Sequence, residues 1–288
     1  MTADLETLVV AAYFFADQLR TPRRRGRPPK VTDEELVALA VCQAVMGICS
    51  DHQFLGLVGR VLPGWFPRLL HQTQYNRRLR ALTPKLVWVQ QRLSELLATG
   101  KLRIADGTLV GVANYAGCAQ HSEFAGVAAY GYCPSKSRFY WGMRLVLLTD
   151  RLGLPLGYAL VPANEKEYEP VRELTTSEQG ATLIADKGLW GREYAETLHL
   201  QGVTIRTPAR ERTAANAGGE RSLAGLRLVV ESTFSNLKCQ MRLEQHLAKT
   251  PAGLVQRIAQ RLLALTLGML LNAMLGRAPR SLVAYDGR

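Results

Sequence analysis

The sequence is poor in the features that mark secreted, membrane-spanning or nucleophile-based proteins. It has five cysteines, Cys42, Cys49, Cys118, Cys133 and Cys239. Their odd number and wide spacing exclude a disulfide scaffold and fit a reducing compartment. Cys118, His121 and Cys133 lie near one another, but no fourth ligand follows at zinc-site spacing, so a structural zinc is not expected. The longest apolar run, LLALTLGMLL at 262–271, is about half of what a membrane helix needs. No signal peptide is evident, and a cytoplasmic location is expected. No Ser-His-Asp pattern points to a covalent nucleophile, and no internal repeat points to a solenoid.

Acids are scarce as well. The chain carries 24 Asp and Glu against 36 Lys and Arg, for a net charge of +12 and a pI near 9.8. That balance favours a polyanionic partner, either nucleic acid or an acidic membrane surface. No basic amphipathic helix stands out, which favours nucleic acid. Both parts of the chain share the excess: residues 1–100 are net +5 and the remainder net +7. A single basic tail on an acidic enzyme is thereby excluded.

The first hundred residues read as helices. An apolar stripe of Leu5, Leu8, Val9, Ala12 and Phe15 predicts a helix over 4–20. RTPRRRGRPPK at 20–30 then holds six cations and three prolines and no acid, so it reads as an extended linker. Thr32 with Glu35 forms a capping-box pattern before a helix running to about Met46. Further helices are expected after Asp51, over 72–82, and from Thr83 to Gly100.

The pattern changes at Lys101. KLRIADGTLVGVA reads as a strand, and a Gly- and Ala-rich stretch after it, with Tyr115, Tyr130 and Tyr132, reads as a long loop. RFYWGMRLVLLT and LPLGYALVPA are strands joined by the turn DRLG. Asn164, with Glu167 three residues on, is expected to cap a helix. ATLIA and GVTIRT are short strands separated by a helix, and 222–248 reads as one long helix. Thr250-Pro251 opens a last helix reaching about Leu275. This is a mixed five-stranded α/β sheet flanked by helices, with the first strand beside the fourth, the ribonuclease H-like topology. A helical domain at 1–100, with its basic linker at 20–30, and a catalytic domain at 101–288 are expected.

Three acids stand out. Asp186 ends the buried strand TLIA, where open sheets place their sites, although a turn or N-cap would also use it there. Asp106 interrupts the first strand, where a carboxylate is tolerated beside a cation or at a surface break. Glu231 sits on the long helix with Arg227 four residues before and Lys238 seven after, sharing one face with Phe234; an exposed ion pair is the plainer reading. Glu193 and Glu196 are rivals for the third place. Glu165, Glu167, Glu169 and Glu173 crowd a helix start, where acids suit the dipole. Asp150 in the hairpin turn reads as structural. Three carboxylates on a basic protein suit divalent metal and phosphoryl transfer.

These motifs resemble the DDE transposases of bacterial insertion sequences. IADG at 104–107 resembles the first Asp motif and IADKG at 184–188 the second. RLVVESTFSNLK at 227–238 matches the R-x3-E-x6-K signature, and the hairpin segment 131–167 is similar as well. The resemblance implies that Asp106, Asp186 and Glu231 bind two Mg2+ or Mn2+ ions, while Arg227 and Lys238 contact phosphate. It implies cleavage of element ends in double-stranded DNA and joining of the 3′-hydroxyl to target DNA. It also implies a DNA-bound homodimer with no membrane role, acting in the bacterial cytoplasm on the nucleoid. Ala224 departs from the family, which has a Tyr three residues before the signature Arg. Arg24, Arg25 and Arg27 around Gly26 suit a minor-groove hook or a phosphate-contacting linker. In 72–82, Gln74, Asn76 and Arg77 are base-reading types, while Arg78 and Arg80 suit phosphate; a solvated basic face would look the same. A nuclease that cuts without joining, and a non-catalytic DNA-binding descendant, share most of these features. Lys187 has no assigned role.

Overall fold

The computed structural model describes residues 2–19, 29–113, 118–133, 137–186, 189, 191–207 and 217–287. Arg24, Arg25, Arg27, Lys187 and Gly188 lie outside the described residues. The chain forms two compact units. Met1–Leu96 and Ser235–Arg288 make a helical unit, and Leu97–Phe234 make a sheet unit.

The helical unit begins with α1 (Thr2–Gln18), α2 (Asp33–Val45), α3 (Asp51–Val61), α4 (Gln72–Ala81) and α5 (Thr83–Leu97). The capping box before α2 is complete: Glu35 N donates to Thr32 Oγ1 at 3.1 Å, and Thr32 N donates to Glu35 Oε2 at 2.5 Å. Two otherwise unpaired donors of the first turn are thereby satisfied. Every residue from Leu36 to Val45 is buried, so α2 is apolar on all sides because it lies at the centre of its unit. α5 stops at Leu97, short of Gly100, which takes a left-handed φ of 62°.

In the sheet unit the elements are β1 (Leu102–Ala113), α6 (Cys118–His121), β2 (Ala129–Cys133), β3 (Arg138–Asp150), β4 (Pro155–Pro162), α7 (Tyr168–Leu174), β5 (Thr182–Ile184), α8 (Arg192–Leu200), β6 (Thr204–Arg206) and α9 (Ala217–Ser235). The strand order is β2-β3-β1-β5-β6, with β4 also paired to β3. β1 is central, antiparallel to β3 and parallel to β5, which is parallel to β6. This is the expected ribonuclease H-like arrangement, with the first strand beside the run TLI.

Three local expectations need correction. The sheet has six strands, because β2 forms within the stretch read as a loop. β3 is thirteen residues long and outruns β4, so its first half has backbone groups that β2 satisfies. Gly131 allows the approach, since a Cβ there would lie 2.7 Å from the Ala163 carbonyl oxygen. Asn164 caps nothing: α7 begins at Tyr168, with Glu167 in the cap position and no side-chain cap bond. Pro170 requires the late start, because an earlier one would carry it past the first turn, where its missing N–H breaks the helix. The helix read over 222–248 ends at Ser235 and passes into a π-helical turn, Asn236–Gln240. Asn236 Nδ2 donates to the Arg280 carbonyl at 3.0 Å and Gln240 Nε2 to the Leu282 carbonyl at 2.9 Å, so contacts within the helical unit set that turn.

α10 (Pro251–Met274) opens as expected, with Gly253 N donating to Thr250 Oγ1 at 3.1 Å. By length and composition it would cross a membrane, but it is largely buried as the core helix of the helical unit. It carries unusual polarity for a core helix. Arg257 Nη2 meets Asp51 Oδ1 at 2.6 Å, and Gln43 Nε2 and Asn76 Nδ2 donate to the same carboxylate at 2.9 and 3.0 Å. Tyr75 donates to Gln43 Oε1 at 3.0 Å, and Gln260 Nε2 donates to the Ala40 carbonyl at 2.8 Å.

Candidate active site

The sheet brings the two strand acids near each other. β1 pairs with β5 as Leu102 with Thr182 and Ile104 with Ile184. Asp106 and Asp186 each lie two residues beyond those isoleucines. Asp106 therefore lies on the central strand and Asp186 in the chain just past its parallel neighbour, close enough for the charge of Asp186 to act on Asp106. β5 ends at Ile184, so Asp186 projects from a carboxyl end, whereas β1 continues to Ala113 and carries Asp106 within it.

Asp106 pays for that interior position. Burial pushes its carboxyl up to about 6. The N–H of Gly107, at 2.9 Å from Oδ1, works against that rise, as does Arg227, while the charges of Glu167 and Asp186 add to it. Arg227 Nη1 lies 3.1 Å from Asp186 Oδ1. A half-buried carboxylate with two further acids near it, each paired with an arginine, suits a divalent cation in the chemistry of its donors. Among the described residues, however, no three His, Cys, Asp or Glu side chains are grouped closely enough to hold a metal.

Glu231 is exposed on α9, one turn beyond Arg227 and on the same side of the helix. It makes no grouped set with Asp106 and Asp186. Lys238 lies in the π-helical turn of the helical unit, 3.9 Å from Glu244. Of the rivals, Glu196 is paired with Arg192 at 3.0 Å on α8, and Glu193 is exposed. Asp150 is fully buried and accepts from Leu152 N at 2.8 Å, Leu154 N at 3.0 Å and Thr99 Oγ1 at 3.2 Å, as a hairpin-turn acid does.

The acid that the sequence undervalued is Glu167. Arg144 Nη1 on β3 holds its Oε1 at 2.5 Å. This carboxylate lies against β1: a Cβ on Gly107 would come within 2.3 Å of Oε1. Glu167 also lines a cleft of about 400 Å³ together with Arg144, Asn164, Lys166 and Asp186. Its place at a helix start disguised it, but the arginine in the apolar run GMRLVLL was a signal, since a strand-borne guanidinium requires a counter-charge.

Two outcomes test this description. Asp106→Asn is expected to stabilise the metal-free protein. The carboxyl's folded value lies above its ordinary 3.8, so ionisation costs the folded state stability as pH rises from about 4 to about 6. The variant's advantage, of order 3 kcal/mol at neutral pH, should vanish below about pH 4 in urea titrations. Gly107→Ala is expected to displace Glu167 and cost about 1–3 kcal/mol. Gly225→Ala on α9, where a Cβ meets nothing within 4 Å, should be neutral or mildly stabilising.

The class that the fold defines is a ribonuclease H-like mixed sheet, here with Asp106 on its central strand and Asp186, paired with Arg227, just past the neighbouring strand. The transposase DDE domain family matches residues 98–267, more than half of the chain. The chain belongs to that family and is a transposase. Comparison with curated proteins and with solved structures gave no match.

The structure places the helical-region candidates as follows. Arg78 donates to the Val31 carbonyl at 2.7 Å and to Asp33 at 2.6 Å, and Asn76 donates to Asp51. Gln74, Arg77 and Arg80 are exposed.

Proposed function

We propose that this transposase cleaves the ends of an insertion sequence and joins the freed 3′-hydroxyl to target DNA. The observation that carries the reading is the pair of acids Asp106 and Asp186, near enough for their charges to interact, with Arg227 paired to Asp186. Asp106 and Asp186 would hold Mg2+ or Mn2+, with Glu231 as the third acid from α9. Two such ions would neutralise the charge developing on the attacking and leaving oxygens of an in-line displacement. Arg227 holds Asp186 in place and offers its remaining donors to the scissile phosphate. Lys238 supplies a second phosphate contact. Glu167, fixed by Arg144, keeps a further negative charge against β1 and restrains the loop before α7.

The partner is double-stranded DNA, inverted-repeat ends and target alike, bound by a homodimer that holds two ends together in the bacterial cytoplasm. The helical domain over 1–100, with its basic linker, grips DNA, and the catalytic domain that follows it carries the chemistry on its sheet unit, Leu97–Phe234, while its Ser235–Arg288 pack in the helical unit. Arg24, Arg25 and Arg27 reach the minor groove or its phosphates. Gln74 and Arg77 are free to face DNA, whereas Asn76 and Arg78 hold α4 in its unit.

The test is purified protein with Mg2+ and a duplex carrying the element's inverted repeats. Cleavage and strand joining are expected. Cutting without joining would identify a nuclease, and binding without metal-dependent cutting would identify a non-catalytic DNA-binding protein.

A further inference from the structure

A second cleft, of about 340 Å³, lies in the helical unit. Its lining mixes polar side chains with Leu247 and Ala248 and contains no aromatic residue on which a nucleobase could stack. Arg80 and Lys249 are its exposed cations. Asp51 is the one acid among the lining residues, and it is taken up by Arg257, Gln43 and Asn76. The cleft therefore has two positive charges in excess, with the exposed amide of Gln72 beside them.

Its architecture adds to that charge. Ser50 and Asp51 start α3, Gln72 starts α4, and Thr250 and Gly253 start α10, and all of these line the cleft. Caps take one first-turn N–H at each start, Gln53 N by Ser50, Thr73 N by His71 and Gly253 N by Thr250, and what the starts add is the positive end of a dipole. The buried Asp51–Arg257 pair fixes the three starts together: Asp51 stands at the first position of α3, Asn76 in the second turn of α4 and Arg257 in that of α10. On α4 the spacing of Gln72, Asn76 and Arg80 puts all three on one side, and they line the cleft together.

We propose that this cleft binds a backbone phosphodiester of duplex DNA, with Arg80 and Lys249 as its charged contacts. The proposal rests on DNA as the partner and not on the acids of the sheet unit. It assigns the helical unit a phosphate anchor that fixes the protein's position on the duplex without reading sequence. Arg80 and Lys249 enter from separate elements, so the anchor clamps the strand rather than adding to a diffuse basic surface.

The experiment measures binding of a labelled duplex of about 30 base pairs to the full chain by anisotropy, in EDTA, across a salt series. The Arg80→Gln/Lys249→Gln double variant is expected to bind at least about tenfold more weakly, with the salt slope reduced by roughly 2. Arg60→Gln/Arg68→Gln removes the same charge from exposed positions outside the cleft and should change affinity far less. Equal losses in the two double variants, or no loss in the first, would overturn the proposal. So would inorganic phosphate, at constant ionic strength, stabilising wild type against heat but not the cleft variant while duplex binding is unchanged; that outcome assigns the cleft to a free anion. EDTA keeps strand cleavage out of the readout, so failure here leaves the catalytic reading standing, and failure of catalysis leaves this binding result intact.

Discussion

Asp186→Asn is expected to slow metal-dependent cleavage of end-bearing duplex by roughly a thousandfold or more, while leaving duplex binding in EDTA unchanged. The magnitude follows from removing a charge that helps place an ion worth several kcal/mol to the transition state. The fold should scarcely register the change. The Asp186 side chain is 49% exposed and its pair with Arg227 is screened by solvent, so the stability change should stay within about 0.5 kcal/mol. Asp106 behaves differently, because its carboxylate is half-buried within β1 and its replacement shifts stability as well as rate. Glu231→Gln and Glu167→Gln divide the candidates for the third acid. The proposed assignment predicts loss comparable to Asp186→Asn for the first and a smaller effect for the second. Cleavage by Asp186→Asn within tenfold of wild type would remove the acid pair from the chemistry.

Arg257→Met is expected to cost the helical unit about 3–5 kcal/mol, read as a lower urea midpoint. The substitution preserves much of the side chain's apolar length but leaves Asp51 buried, charged and supported only by two amide donors. Asp51→Leu combined with Arg257→Met should recover most of that loss, because the cost lies in an unpaired buried charge rather than in the missing attraction. A double variant as unstable as the single one would mean that the pair itself, through its neighbours Gln43, Gln260 and Tyr75, carries the stability of α3, α4 and α10. If the recovered protein also loses duplex binding, its polar floor served the cleft rather than the fold.

Local chemistry determined much of this protein from sequence. The capping box at Thr32 and Glu35 and the Thr250-Pro251 opening of α10 involve residues three or four apart, whose geometry the helix itself supplies. β1, β3 and β4 announced themselves by apolar content and turn residues, and their order with the later strand-helix units determined the sheet type. Asp106 and Asp186 were legible because an acid at the end or middle of an apolar strand conflicts with its surroundings. What the tertiary structure decided depends on partners far apart in the chain. β2 exists because β3 outruns β4. α9 ends at Ser235 because Asn236 and Gln240 find carbonyls more than forty residues away. Glu167 looked like an ordinary helix-start acid until Arg144 and Gly107 brought its carboxylate against β1. Asn76 and Arg78 read as DNA contacts from sequence, and only the fold shows that Asp51, Val31 and Asp33 engage them. A side chain's chemistry is written in its identity, but its role is settled by which distant charge or carbonyl the fold brings within about 3 Å, the range over which a hydrogen bond forms.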